Sequence, residues 1–188
     1  MGPTVEKAAR ALRSGALVVY PTDTLLGLAA RATDPAAVAR LDAAKDRPGG
    51  QPISVAVSSL AELEALATLA RSSRRFLRTH LPGPYTVLVR PSRYAREILA
   101  PRIFAEGGSL GLRVPDHPVA RELARRAGPI TATSANRHGR PPCPTVERAQ
   151  REFQRKVEVY LPARPPGSGR PSTLVDLRRD EPRVVARR

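Results

Sequence analysis

Ala16-Leu17-Val18-Val19-Tyr20-Pro21-Thr22-Asp23-Thr24 is the stretch on which the reading of this chain turns. Five apolar residues are too few for a helix and read as a short buried strand. Pro21 stops it, and three polar residues form a turn. Thr4 upstream caps a helix running to about Ser14, because Val5, Ala8, Ala9 and Leu12 recur at helical spacing, and Gly15 ends it. Downstream, Asp34-Pro35 opens a second helix with Val38, Leu41 and Ala44 inward, stopping near Lys45. Helix, strand, polar turn, helix is the signature of an α/β or α+β sheet with helices packed on it.

The rest extends that pattern. Residues 53–57, 85–89, 110–114 and 130–133 read as strands, with late strands at 157–161, 174–177 and 183–186. Helical stretches are expected at 60–69 and 72–79, after Asp116 and Pro118, and from a Thr145 cap to about Phe153. Leu81-Pro82-Gly83-Pro84 is a rigid turn. The Pro/Gly-rich segment 163–170 is expected to be a mobile flap. No internal repeat appears, and residues 1–188 read as a single domain.

Composition bounds the function. With 188 residues and 41% apolar content, the chain can bury a core without staples. No run of about 18 apolar residues exists, so no membrane span is expected. The N-terminus does not fit a signal peptide or a myristoylation pattern. One cysteine and three scattered histidines exclude a Cys/His metal cluster, and the lone Cys143 fits a reducing, cytoplasmic setting. The formal charge of +15 permits contact with tRNA or double-stranded RNA. Twenty-nine of the 32 basic residues are Arg, and no block of five like charges occurs, so composition alone explains much of it. Against that Arg bias Lys45 stands out, because a Lys inside a polar motif supplies a compact, rotatable ammonium.

Polar triplets mark the candidate chemistry. Lys45-Asp46-Arg47 runs into Pro48-Gly49-Gly50-Gln51-Pro52, and Ser134-Ala135-Asn136 follows the strand that contains Ala132. Two cations, a hydroxyl and an amide suit a polyphosphate, although basic groups at a helix C-terminus also serve the dipole. Thr22 and Thr24 offer hydroxyls at a strand end, although a turn satisfying its own backbone is the simpler local account of Asp23 and the threonines. Thr86 follows the proline turn, Arg113 sits on a strand before Pro115, and Ser172 precedes a strand. No Walker loop and no nucleophile elbow is present.

Taken in order, Tyr20-Pro21-Thr22-Asp23-Thr24 with Gly27-Leu28, Lys45-x-Arg47-Pro48, Leu81-Pro82-Gly83-Pro84-x-Thr86, Gly111-Leu112-Arg113-x-Pro115, Thr133-Ser134-Ala135-Asn136 and Ser172-Thr173-x-Val175-Asp176 closely resemble the YrdC-like threonylcarbamoyl-AMP synthases of the short, single-domain type. The resemblance spans roughly residues 4–177. It implies a twisted mixed α/β sheet with an open basic cavity. It also implies a nucleotidyltransferase that joins L-threonine, bicarbonate and ATP, with Mg²⁺ held mainly by phosphates and no protein metal ligand. The product would serve threonylcarbamoyladenosine formation in tRNA, alongside the threonylcarbamoyl-transfer machinery. Lys45, Arg47, Ser134 and Asn136 would be the catalytic tetrad. Arg47, Gln51, Thr86, Ser134, Pro142 and Ser172 would hold the nucleotide. Thr24, Arg113 and Ala132 would hold threonine. Leu26 replaces the usual aromatic of the first motif, Arg137-His138-Gly139 follows the tetrad, and Ala56 stands where some relatives place a polar group facing the ligand. The alternatives are an RNA-binding module of the same fold and a diverged paralogue acting on another nucleotide or adenylate.

Overall fold

The computed structural model describes residues 4–49, 51–105, 107–162 and 167–185. In chain order its elements are α1 (Val5–Arg13), β1 (Val18–Tyr20), β2 (Gly27–Ala29), α2 (Pro35–Lys45), β3 (Val55–Ala56), α3 (Leu60–Leu66), β4 (Ala67–Thr68), α4 (Arg71–His80), β5 (Tyr85–Pro91), α5 (Arg93–Ile98), β6 (Leu110–Arg113), α6 (Pro118–Ala127), β7 (Ile130–Thr131), β8 (Thr133–Ser134), α7 (Val146–Phe153), β9 (Val159–Tyr160), β10 (Thr173–Asp176) and β11 (Arg183–Val185). Short 3₁₀ turns occupy Pro101–Ile103 and Gln154–Lys156.

The strands form two mixed sheets. One has four strands in the order β8-β2-β1-β9. The larger runs β11-β10-β5-β6-β3-β7, with β4 paired to β5. Pairs β1–β9, β10–β5 and β3–β6 are parallel and the remainder antiparallel, so the expected mixed α/β architecture is present.

Alternation along short strands divides the interior in two. Val19, Leu28 and Val55 enter a large core with Val87, Val89, Leu110 and Leu112. Their neighbours Val18, Tyr20, Ala29 and Ala56 face a second cluster under α1 and α6. In that cluster Ala8, Ala9 and Leu12 meet Ala120, Leu123 and Ala124, where small side chains let helices approach closely. Ala56 is fully buried there, so the departure expected to face a ligand faces α1 and α6 instead.

Local chemistry accounts for the helix ends. Thr4 accepts from the Lys7 amide, and Asp34 Oδ1 accepts from the amides of Ala36 and Ala37 with Pro35 at the first helical position. Asp46 adopts φ +50° and ψ +40°, a left-handed conformation that turns the chain out of α2 directly after Lys45. Thr145 accepts from the Arg148 amide and starts α7.

Two sequence expectations change, and two elements form where sequence reading assigned none. Gly27–Ala29 forms strand β2, Ala67–Thr68 forms β4 where helix was expected to continue, and Arg93–Ile98 forms α5. The run 130–133 divides at Ala132: β7 pairs with β3 of the larger sheet, and β8 pairs with β2 of the smaller. The Ala132 amide donates to the Ser54 carbonyl at 2.7 Å as the chain crosses. That crossing brings the Ser-Ala-Asn turn to the junction of the sheets. Among the described residues no helix is long and apolar enough to cross a membrane.

Candidate active site

A cleft of about 220 Å³ opens between the two sheets. Each side of it comes from a different motif. Tyr20 ends β1 on its floor, and Thr22, Thr24 and Leu26 come from the polar turn. Arg47 and Pro52 come from the loop after α2, Arg113 from the end of β6, Ala132 and Ser134 from the crossover, and Pro142 and Ser172 from later loops. Seven sequence-derived candidates therefore line one cleft: Thr24, Arg47, Arg113, Ala132, Ser134, Pro142 and Ser172.

The other four stand outside the lining. Lys45 is buried and donates from Nζ to the main-chain carbonyls of Ser134 at 2.5 Å and Asn136 at 2.6 Å. Burial, with the Arg47 charge as a smaller contributor, pushes its pKa down to about 8. The same turn is held from the other side, where the His138 amide donates to the Lys45 carbonyl at 2.7 Å. Asn136 is spent internally: Oδ1 accepts from Ser134 Oγ at 2.5 Å, and Nδ2 donates to the carbonyls of Arg137 and Arg140. Thr86 is buried behind Ser172, their hydroxyls 2.7 Å apart. Gln51 is exposed, and its carbonyl accepts from Arg102 at 2.7 Å.

Arg47 is half-buried and donates from Nη2 to the Pro52 carbonyl at 2.7 Å. Its Nε is buried with no hydrogen-bond partner among the described residues, and desolvation holds its pKa below the ordinary value. Beneath it Asp42 pairs with Arg102 at 2.7 Å, and Arg102 also holds the Gln51 carbonyl. This network holds the carbonyls of Gln51 and Pro52, and sequence reading offered no signal for Arg102.

Arg113 is nearly buried, and its Nη2 donates to Asp23 Oδ1 at 2.7 Å and to Thr24 Oγ1 at 3.1 Å. Asp23 was expected to serve its own turn. It instead supplies the counter-charge for an arginine 90 residues away, and its Oδ2 has no hydrogen-bond partner among the described residues. The turn is closed by Thr22, whose Oγ1 accepts from the Thr24 amide and donates to the Leu25 carbonyl.

Tyr20, Pro52, Ser54 and Pro171 also line the cleft and were not among the candidates. Tyr20 is fully buried and donates to the Thr131 carbonyl at 3.2 Å. Burial pushes its pKa up to about 12. Gly27 lies opposite it in register, where a Cβ would come within 2.5 Å of the ring, so only glycine fits. Ser54 was legible as a polar residue inside an apolar strand run.

The expected mobile flap divides. Residues 163–166 lie outside the described residues. The described part is docked: the amides of Ser168 and Gly169 donate to the carbonyls of Asp23 and Thr24, each at 2.9 Å. A Cβ at Gly167 would lie 2.4–2.5 Å from the Thr24 and Thr22 carbonyls, so glycine permits that approach.

Residues 10–188 match the Sua5/YciO/YrdC family model, described as telomere recombination. The chain is 38% identical over 179 residues to the threonylcarbamoyl-AMP synthase of Chromohalobacter salexigens, covering 94% of each chain. It superimposes on the H234A/Y235A form of P. abyssi Sua5 with a TM-score of 0.89 at 30% identity. P. abyssi Sua5 complexed with L-threonine gives 0.87 at 30% identity. Both superpositions use 96% of this chain, which spans about half of those structures (55% and 52%). Fold, motif placement and sequence identity agree, and the chain belongs to the YrdC/Sua5 family of threonylcarbamoyl-AMP synthases.

Proposed function

We propose that this chain joins L-threonine, bicarbonate and ATP into threonylcarbamoyl-AMP, releasing pyrophosphate, for the threonylcarbamoyladenosine modification of tRNA. The observation that carries this reading is the convergence of five distant motifs on one cleft through Thr24, Arg47, Arg113, Ser134 and Ser172. Family membership supports an enzymatic, nucleotidyltransferase role.

Arg113 and Thr24 take threonine, the guanidinium receiving its carboxylate in the forked manner arginine favours. Asp23 already occupies that guanidinium, so it keeps the donor aligned before the substrate arrives. Ala132 forms the wall beside them. The threonine amine attacks the carbon of bicarbonate, and loss of water leaves the carbamate. A carbamate oxygen then bonds to the α-phosphorus of ATP, and the bond to the departing pyrophosphate breaks. Holding three reactants together is mainly an entropic task, so fixed positions matter more than a protein nucleophile.

Ser134, Ser172 and Arg47 face the nucleotide, with Pro142 and the Gln51 loop at its border. Arg47 supplies the cation for phosphate charge. Lys45 and Asn136 act one step behind, fixing the 134–136 turn, and Thr86 fixes the Ser172 hydroxyl. Among the described residues no three His, Cys, Asp or Glu gather to hold a metal ion. Mg²⁺ fits this donor set only as a companion of ATP, with phosphates and water as ligands. Bound so, it would neutralise phosphate charge.

The test is pyrophosphate release from ATP, Mg²⁺ and bicarbonate with and without L-threonine. Release that requires both threonine and bicarbonate is expected. Release indifferent to threonine, from folded protein, would overturn the reading.

A further inference from the structure

Ser54 sits in the candidate active site with its hydroxyl unspent. It is half-buried, stands in an otherwise apolar run, and lines the cleft together with Pro52 and Arg113. β3 lies between β6 and β7, with Ala56 level with Arg113 on one side and with Ile130 on the other. Two residues back on the same face, Ser54 is therefore level with Gly111 and Ala132. The Ala132 amide donates to the Ser54 carbonyl at 2.7 Å, which ties the backbone of this row together. A Cβ at Gly111 would come within 2.8 Å of Ser54 Oγ. The hydroxyl thus rests on a glycine and has an alanine on its other side, and neither neighbour offers it a side-chain partner.

The other hydroxyls of the cleft are committed. Thr22 bonds the Thr24 amide and the Leu25 carbonyl, and Thr24 Oγ1 accepts from Arg113. Ser134 donates to Asn136, Ser172 meets Thr86, and Tyr20 donates to the Thr131 carbonyl. Among the described residues, the cleft hydroxyls that make no hydrogen bond are those of Ser54 and Thr133. Thr133 lies on β8 beyond the crossover, next to Ser134 on the nucleotide side. Ser54 lies between the strands that carry Arg113 and lead to Ala132, on the threonine side.

Threonine brings three polar groups to this place. Arg113 receives the carboxylate, and the amine must stay free to attack bicarbonate. The side-chain hydroxyl is left, and burying it unpaired would cost affinity. We propose that Ser54 hydrogen-bonds the side-chain hydroxyl of threonine and so sets a preference for hydroxylated amino acids. Each hydroxyl is both donor and acceptor, so the two pair in either sense. The proposal rests on the synthase reading above and adds to it the residue that reads the substrate side chain.

The experiment is threonine-dependent pyrophosphate release, with L-serine and L-2-aminobutyrate as competitors. Serine keeps the hydroxyl and lacks the methyl group, whereas 2-aminobutyrate keeps the methyl group and lacks the hydroxyl. In Ser54→Ala the threonine KM and the serine Ki should each rise about 3- to 10-fold, the worth of one hydrogen bond, and the 2-aminobutyrate Ki should move by less than about twofold. Ser54→Thr retains the hydroxyl and should keep the preference for threonine over 2-aminobutyrate, whatever its extra methyl does to both. Thr133→Val should move all three amino acids alike. No change in Ser54→Ala, equal weakening of threonine and 2-aminobutyrate, or a threonine-specific loss in Thr133→Val instead would overturn the proposal. A rise confined to the bicarbonate KM would assign the hydroxyl to the carbonate and also overturn it. Each of these outcomes leaves the synthase reading standing. Absence of threonine-dependent release from the folded, unmodified chain would sink that reading and this proposal with it.

Discussion

Lys45 and Ser134, 89 residues apart in the chain, are joined by a 2.5 Å hydrogen bond from the buried ammonium to the main-chain carbonyl. The same ammonium reaches the Asn136 carbonyl, so one side chain holds both ends of the Ser-Ala-Asn turn. A compact ammonium with three donors can serve two carbonyls in so small a space, where the planar fork of arginine would not fit. This explains a lysine at this position in a chain where 29 of the 32 basic residues are arginine.

Lys45→Met should lower the rate more than it changes the threonine requirement. It removes the support of the nucleotide-facing turn and leaves the threonine side untouched. It should also cost about 1–3 kcal/mol of stability, because two buried carbonyls lose their donor. Steady-state kinetics and urea denaturation check both parts. A large rise in threonine KM with kcat unchanged would contradict this placement.

Lys45 also predicts a pH dependence. Its folded pKa is about 8, against an ordinary value of 10.5. Between these values the unfolded chain binds more protons, so the Lys45 contribution to stability rises as pH increases from about 8 to 10.5. Tyr20 acts oppositely: with its pKa raised from 10 to about 12, its contribution is intact below pH 10 and is lost as pH rises towards 12. Denaturation curves from pH 7 upward for the unmodified chain, Lys45→Met and Tyr20→Phe separate the two effects. The rise should vanish in Lys45→Met, and the fall above pH 10 should shrink in Tyr20→Phe.

Arg113→Gln should raise threonine KM by about 10- to 100-fold, the worth of a lost charge-assisted hydrogen bond of about 1.5–3 kcal/mol. It should also destabilise the fold by about 3–5 kcal/mol, because the Asp23 carboxylate is left without its partner at 11% side-chain exposure. Asp23→Asn combined with Arg113→Gln should recover much of that stability while threonine binding stays weak. Calorimetric titration with threonine beside thermal unfolding distinguishes the two roles.

Gly167→Ala should undock the segment that caps the polar turn. Its Cβ would collide with two main-chain carbonyls that cannot retreat without moving Thr22 and Thr24. Overpacking of this kind costs about 1–3 kcal/mol. A several-fold loss of threonine affinity with a small change in melting temperature is expected. Hydrogen exchange at the Ser168 and Gly169 amides, which donate to that turn, should speed up in the variant and reports the undocking directly.

What the sequence determined was whatever short-range chemistry dictates. Thr4, Asp34 and Thr145 announce helix starts because a side-chain oxygen caps amides two or three residues away. The strand at Tyr85 and the turns at Pro21 and Pro82 follow from local sterics and β-branching. The motifs carrying Thr24, Arg47, Arg113, Ser134 and Ser172 were readable as polar residues at element ends, and these five do meet in one cleft.

The tertiary structure alone decided the partners. β2 and β4 are strands only because β1 and β5 lie beside them, and neither is long enough to show a period. Ala132 divides one apolar run between two sheets because Ser54 and Leu28 compete for its flanks. Asp23 looked like a turn residue until Arg113 was folded against it, and only the fold shows that the Lys45 ammonium reaches two main-chain carbonyls about 90 residues away. Propensity and capping act over a few residues, whereas pairing, burial and counter-charges are set between segments about 90 positions apart, which only the folded chain brings together.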